Sequence, residues 1–575
     1  MGLLGQFETI LVGEDPLPPE QYLEGIDRPT LLKIGTSLIR HNPNSSPYKD
    51  WKALLKMWFR EGNEAFKNRV WAASEALSYA HREQISFLSP PAGIRFFEFA
   101  FNMPISERKQ TELETEVNLF KAYLYFISES TRMETVGDEY LDTIPAEHRA
   151  AYILLHQQFP NSEFVNYHVY DIFNCQMIKA YMLFHFMESK LEAAGLLQAF
   201  YKHFGLAHWK EYFELLFPLL QAEVQKANAA WTEVTVPVDE HFAKRCFFLD
   251  ALTLDKLDEE FNADFKLMRG NPLYKISEGL YYIIFPLFML EKIFKGLFFH
   301  FKVLYDELPV KDIDSWNRFY TKDFAESQLL YNLFNYIYAK RGYIRYIGDE
   351  MDKALTKKGG IDYYMRQGNK LFLFESKSVF INAEIKQSGD LDKILVELKK
   401  KFWYDEKDGK QKPKAVRQLA RNVVRVLKME NPFDVNYKPQ NVSIYPVIVV
   451  HDELYNVPSL NYILNDWFRK ELETLAEGLD VSKVKMLIVL NVDTLIMYAD
   501  YLRLKKSTLQ DLFDKYIETR KFNPNRRYED QNHFNNAYAE TLLSFSHFLD
   551  HYTKAGFKKV PNQLWADSVR KYVPA

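Results

Sequence analysis

From about residue 48 to 305 apolar side chains recur at spacings of three and four, with few strict alternations, the period of helices that bury one face. The spacing predicts helices over 48–61, 64–82, 107–129, 146–158, 170–200 with a break near Gly195, and 209–227. The most apolar run, 279–290, contains Pro286 and is bounded by Glu278 and Glu291. It is shorter than the roughly 20 residues of a membrane-spanning helix and reads as buried helix. From about residue 310 short β-rich runs alternate with helices: a helix over 316–340, a strand over 343–347, a hairpin near 368, a helix over 414–428 and strands over 442–450 and 484–490. The runs VSIYPVIVV and VKMLIVL are nearly continuous aliphatic residues, as in strands covered on both faces of a mixed sheet. The pattern predicts an N-terminal all-α region, 1–310, followed by a mixed-sheet α/β domain, 311–575. No fixed-period repeat interrupts it.

The stretch 359–377, GGIDYYMRQGNKLFLFESK, holds the densest chemistry. Gly368-Asn369 between two strand-like runs signals a tight hairpin. If those residues form the loop, Gln367 faces Lys370, and stepping back rung by rung brings Asp362 opposite Glu375. Directly opposed like charges destabilise a sheet unless something offsets them, and a bound cation would. Alternation puts Glu375 and Lys377 on one face and Ser376 on the other.

An Asp followed one strand later by Glu-x-Lys resembles the PD-(D/E)xK nuclease superfamily at Asp362, Glu375 and Lys377. The resemblance covers less than half the chain, the C-terminal part. It implies a restriction-endonuclease-like α/β fold and metal-dependent hydrolysis of phosphodiester bonds, with DNA favoured over RNA as the commoner substrate of the superfamily. In many of its families a Glu on the helix before the sheet joins the metal site. Here that helix offers Glu326, in line with Leu330, Leu333 and Ile337 on the face expected to meet the sheet. The implied cation is Mg2+ or Mn2+, a hard ion suited to oxygen ligands. Its implied ligands are Glu326, Asp362, Glu375 and the backbone carbonyl of Ser376. Lys377 would position the attacking water and offset developing charge. Gln418, in RQLARN, stands where some members carry a Gln that helps order the site. An endonuclease role in defence against foreign DNA follows by analogy with such architectures.

Charge then changes the picture locally. The chain carries a formal −4 over 575 residues, so it has no global attraction for nucleic acid, and any such binding needs a local patch. Residues 393–428 hold twelve Lys or Arg against four Asp or Glu, a net of +8. Within them Lys414, Arg417, Arg421, Arg425 and Lys428 form one basic helical stripe, a plausible phosphate track, with Val416, Leu419, Val423 and Leu427 on the packing side. The Gly/Lys-rich EKDGKQKPK before this helix reads either as a clamp on a substrate strand or as an unstructured loop tip.

Composition adds bounds. Apolar residues at 47% and charged residues at 26% indicate globular domains, and the 16% aromatic content suits thick helical packing. Two distant cysteines, Cys175 and Cys246, and an N-terminus unlike a secretory signal point to a cytoplasmic protein with no membrane association. Recognisable NTPase, dinucleotide, zinc-protease and hydrolase motifs do not occur. His547 and His551 stand at helical spacing but read as part of a packed terminal helix. The helical region would recognise a protein partner, support self-association or restrain the nuclease. Two rivals remain: a non-catalytic nucleic-acid binder, and a helical scaffold whose α/β domain serves only protein contacts.

Overall fold

A computed structural model describes residues 3–565 apart from 42–45, 82, 105–106, 134–141, 226–230, 257–262, 310, 339–341, 356–359, 408, 505–507, 523–526, 528 and 553–561. The chain divides into two compact units, and not at a single cut near 310. One comprises 1–135, 161–176 and 195–308; the other takes 136–160 and 177–194 in addition to 309–575.

The first unit is helical around an aromatic-rich core, as the three-four spacing predicts. Helix Arg28–Arg40 starts at Asp27, whose carboxylate accepts the Thr30 N–H at 2.9 Å, and buries Leu31, Leu32, Leu38 and Ile39. It meets helix Pro90–Asn102 at Gly93, where a Cβ would come within 3.0 Å of Ile39 N. Glycine there lets the two backbones approach. The unit is not all-α, however. Thr232–Thr235, Leu273–Ser277 and Leu280–Ile283 form a three-stranded antiparallel sheet. The run read as one buried helix, 279–290, is therefore corrected to strand then helix. Gly279, at φ 74°, turns the chain between two paired strands, and Pro286 can only open a helix, which it does in Pro286–Glu291.

The second unit is built on a five-stranded mixed sheet. Its strands are β1 (Ile344–Ile347), β2 (Tyr363–Gln367), β3 (Lys370–Lys377), β4 (Ser443–Val450) and β5 (Ile488–Asn491), in the order β5-β4-β3-β2-β1. The β1/β2 and β2/β3 pairs are antiparallel, while β3/β4 and β4/β5 are parallel. Gly368, at φ 57°, lets the two-residue loop close, so Gln367 pairs with Lys370 and Tyr363 with Phe374. The strand expected over 484–490 is shorter. On β4, Ile444 bonds toward 483–485 and its even-numbered neighbours point the same way, but Pro446 has no N–H to give. The ladder leaves only a bridge at Val484 and resumes at Val447 with Ile488.

One face of the sheet, carrying Leu371, Leu373, Ile444 and Ile448, shares a core with helices α2 (Leu391–Phe402), α3 (Ala415–Leu427) and α4 (Leu460–Leu475). The other face carries Phe372 and Phe374, which pack against Tyr445, Phe513 and Phe334. Phe334 belongs to a helical stretch, α1, over 316–338, whose middle segment, Phe319–Leu330, is wound as a π-helix. Residues 388–407 and 409–413 are not an open loop. They form α2, with Asp390 accepting the Lys393 N–H, and a hairpin of Tyr404–Lys407 with Lys410–Pro413.

Candidate functional site: an acid pair beside an ammonium

The hairpin register runs as far as Tyr363 with Phe374, and Asp362 is the residue that precedes β2, close enough for its charge to act on Glu375 of β3. Two bonds anchor Asp362 to β3: its N–H donates to Phe374 O at 3.1 Å and its Oδ2 accepts the Ser376 N–H at 2.6 Å. Because β3 is the central strand, Glu375 is covered on both sides and is 1% exposed. Its Oε1 accepts from Lys377 Nζ at 2.7 Å, and its Oε2 is buried with no hydrogen-bond partner. A buried carboxylate oxygen left this way is costly unless something else binds it.

The electrostatics follow from this crowding. Burial first, then the Asp362 charge, pushes the Glu375 carboxyl up to about 8 despite Lys377. Burial raises Asp362 as well, against the pull of Lys377 and the Ser376 N–H. Lys377 is raised above the usual lysine range by Glu375 and Asp362, which outweigh its burial.

Glu326 joins from the π-wound segment. In that winding positions five apart stack, so Tyr331 lies beneath Glu326: its N–H bonds the Glu326 carbonyl and its hydroxyl contacts Glu326 Oε1 at 3.1 Å and Asp362 O at 2.9 Å. The phenol has one proton to share between those two acceptors. The helix packs through Phe334 on Tyr363 and Phe374, the face opposite Glu375, so Tyr331 is what ties Glu326 to the acid pair. Burial and the Asp362 charge push Glu326 up to about 8.

Ser376 points its hydroxyl to the other face, 2.8 Å from His451 Nε2. Burial, with Lys179 nearby, lowers His451 to about 3, so the neutral imidazole acts as a structural partner behind the strand. Gln418 lies on α3, where its backbone carbonyl accepts from Asn422 Nδ2. No hydrogen bond joins its amide to Asp362, Glu375 or Lys377 among the described residues.

The basic stripe is less uniform than its spacing suggests. Arg421 and Lys428 are exposed, Arg425 contacts Asn422 at 3.3 Å, and Lys414 lies 3.8 Å from Asp405. Arg417 departs from the stripe, because Glu471 on α4 faces it and holds its guanidinium at 2.6 Å. His547 Nδ1 lies 2.9 Å from Ser544 Oγ and His551 Nδ1 donates to the His547 carbonyl, and neither joins a group of three metal-binding side chains among the described residues.

Spacing could suggest Glu326, but not Tyr331 beneath it, since only the π-winding brings position 331 there. Lys322, one turn before Glu326, was also missed. It adds positive charge toward both Glu326 and Asp362 while lying 3.5 Å from Asp349.

Two oxygen-donor acids close to one another, with a buried oxygen that has no hydrogen-bond partner among the described residues, match the chemistry of a hard divalent cation. Asp362, Glu375 and the Ser376 carbonyl would hold it. No group of three or more acid, His or Cys side chains is gathered into a cage among the described residues. Glu326 is thus tethered near the pair rather than locked with it. With a divalent cation held by the acids, the arrangement would offset a bound anion's charge and keep the Lys377 ammonium beside it. No family model, curated protein or solved structure matches the chain.

Proposed function

We propose that the chain is a metal-dependent nuclease that hydrolyses phosphodiester bonds, its second unit being a restriction-endonuclease-like α/β domain. The observation that carries this reading is the Asp362–Glu375 pair: Glu375 is buried on the central strand with one carboxylate oxygen unpartnered among the described residues and Lys377 bonded to the other, and Asp362 is held beside it by the Ser376 N–H. The mixed sheet, with helices over its acid-bearing face, supports it. Asp362 and Glu375 would hold a Mg2+ or Mn2+ ion with the Ser376 carbonyl, with Glu326 tethered nearby through Tyr331. A cation bound there lowers the pKa of water and offsets charge on the phosphate. Lys377 keeps its ammonium beside the reacting phosphate, orienting the nucleophilic water and stabilising the negative charge that builds on the oxygens. DNA is the favoured substrate, and a defence role is retained as analogy. No helix among the described residues is long and apolar enough to cross a membrane.

One observation favours the non-catalytic binder: among the described residues the acids are not gathered into a three-ligand cage. Incubating the protein with circular and linear DNA and with RNA, with and without Mg2+ or Mn2+, decides between the two. Cation-dependent cleavage that Glu375→Ala abolishes is expected. Nucleic-acid binding with no cleavage under any condition overturns the enzymatic reading.

A further inference from the structure

The hairpin formed by Tyr404–Lys407 and Lys410–Pro413 is mounted on the body of the unit by a buried polar cluster. Arg417 donates from Nε and Nη2 to Glu471 Oε1 at 2.9 and 2.6 Å, and Trp403 Nε1 donates to the same oxygen at 2.6 Å. Trp403 stacks on Trp467, with ring centroids 5.3 Å apart. The Arg417 side chain is 16% exposed and Glu471 10%, so this pair is shielded and held by several donors. From the same guanidinium, Nη1 donates to Gln411 Oε1 at 2.9 Å, and its plane lies 4.8 Å over the Tyr404 ring. The Lys414 N–H closes the hairpin base on Trp403 O at 3.0 Å.

Side chains alternate along each strand, so the face bearing Tyr404 and Gln411 meets Arg417 and the opposite face carries Lys410 and Lys412. Both lysines are exposed. Asp405, across from Lys412, has its charge offset by Lys414 at 3.8 Å. The hairpin base runs directly into α3, whose Ala415, Val416 and Leu419 share one core with Leu371 and Leu373 on the acid-bearing face of β3. In a chain of net −4, exposed lysines held this firmly on the acid-bearing side of the sheet suit a polyanion.

We propose that this hairpin is a fixed clamp on the phosphodiester backbone of nucleic acid, with Lys410 and Lys412 contacting phosphates of the strand that reaches Lys377, and with Arg417 a positioning residue that aims the hairpin rather than a phosphate contact. The proposal rests on the nuclease reading and names how that site holds its substrate.

The test is fluorescence anisotropy of labelled DNA and RNA oligonucleotides with the full chain, without divalent cation, over a range of salt. Lys410→Glu with Lys412→Glu is expected to weaken binding at least about tenfold and to lower the log-log salt slope by roughly two, one per lost contact. A control pair on exposed lysines elsewhere, Lys202→Glu with Lys521→Glu, is expected to bind like wild type. Arg417→Lys separates mount from contact, because lysine keeps the charge and loses the fork. As a mount, Arg417→Lys binds as weakly as Arg417→Gln; a phosphate contact would be largely rescued by lysine and would overturn the positioning role. Clamp variants with wild-type affinity and slope, in a protein that still cleaves, overturn the clamp and leave the nuclease reading standing. Wild-type protein that binds no nucleic acid overturns both.

Discussion

The Ser376 N–H donates to Asp362 Oδ2 at 2.6 Å across the last rung of the β2–β3 hairpin. That bond fixes the aspartate beside Glu375 and uses one of its oxygens, leaving the other for a ligand. Asp362→Asn keeps an oxygen that can accept the same N–H, so the rung should survive. It removes the charge that raises Glu375, whose pKa should fall from about 8. Calorimetric Mn2+ binding should weaken by at least tenfold, about 1.4 kcal/mol, with the far-ultraviolet spectrum unchanged. Unchanged Mn2+ affinity would remove Asp362 from the cation's shell.

Glu375 makes stability depend on pH in a defined direction. Its folded pKa, about 8, lies above its ordinary value of 4.5, so the folded state binds the proton more tightly. For the cation-free protein this contribution is complete below about 4.5 and is lost as pH rises toward 8. Glu375→Gln mimics the protonated acid. Its Tm should match wild type near pH 5 and exceed it near pH 8.5 by a few degrees, on the order of 1 kcal/mol. Saturating Mn2+ should raise the Tm of wild type and not of the variant. A Tm difference that does not change with pH would show that Glu375 is ionised at no cost.

Much of the second unit was legible because its signals are local. Gly368-Asn369 between two apolar runs set the register as far as Tyr363 with Phe374, while bonds to Phe374 O and from the Ser376 N–H hold Asp362 near Glu375. The aliphatic runs announced β4 and β5, although Pro446 shortened the latter through a missing donor. Other features depend on partners distant in sequence. Nothing near Arg417 says that Glu471 will claim it, and a basic stripe at helical spacing looks the same whether its members reach solvent or a buried carboxylate. In the first unit, apolar content hid a strand: Leu280–Ile283 pairs on both sides, and only Gly279 and Pro286 marked its limits. The π-winding over Phe319–Leu330 carries no spacing signal that distinguishes it from an α-helix.

Tyr331 should act through Glu326. Its hydroxyl lowers the Glu326 pKa, against burial and Asp362, which together hold it near 8. Tyr331→Phe removes that bond and should move Glu326 further upward, shifting the alkaline-rising limb of the cleavage profile to higher pH. The lost hydrogen bonds should cost about 0.5–1.5 kcal/mol of stability by denaturant melting. A pH profile superimposable on wild type, with the stability loss present, would confine Tyr331 to a packing role.

Lys377 separates catalysis from assembly. Its ammonium bonds Glu375 Oε1 at 2.7 Å and feels Asp362 and Glu326 as well, so in the cation-free protein it is the acids' main counter-charge. A divalent cation held there would take over much of that role and would leave the ammonium free for the phosphate. Lys377→Met keeps the length and the apolar stem but removes the charge. Without competition from the ammonium, Mn2+ binding should be retained or tightened, while cation-free stability should fall because the acids lose their counter-charge. Cleavage at saturating substrate should drop by at least a hundredfold, a loss of about 2.7 kcal/mol of transition-state stabilisation, with little change in oligonucleotide affinity. Single-turnover cleavage beside Mn2+ calorimetry measures both quantities on one preparation. A variant that loses Mn2+ binding together with cleavage would make Lys377 a structural partner of Glu375, whereas one that cleaves at the wild-type rate would remove it from the reaction.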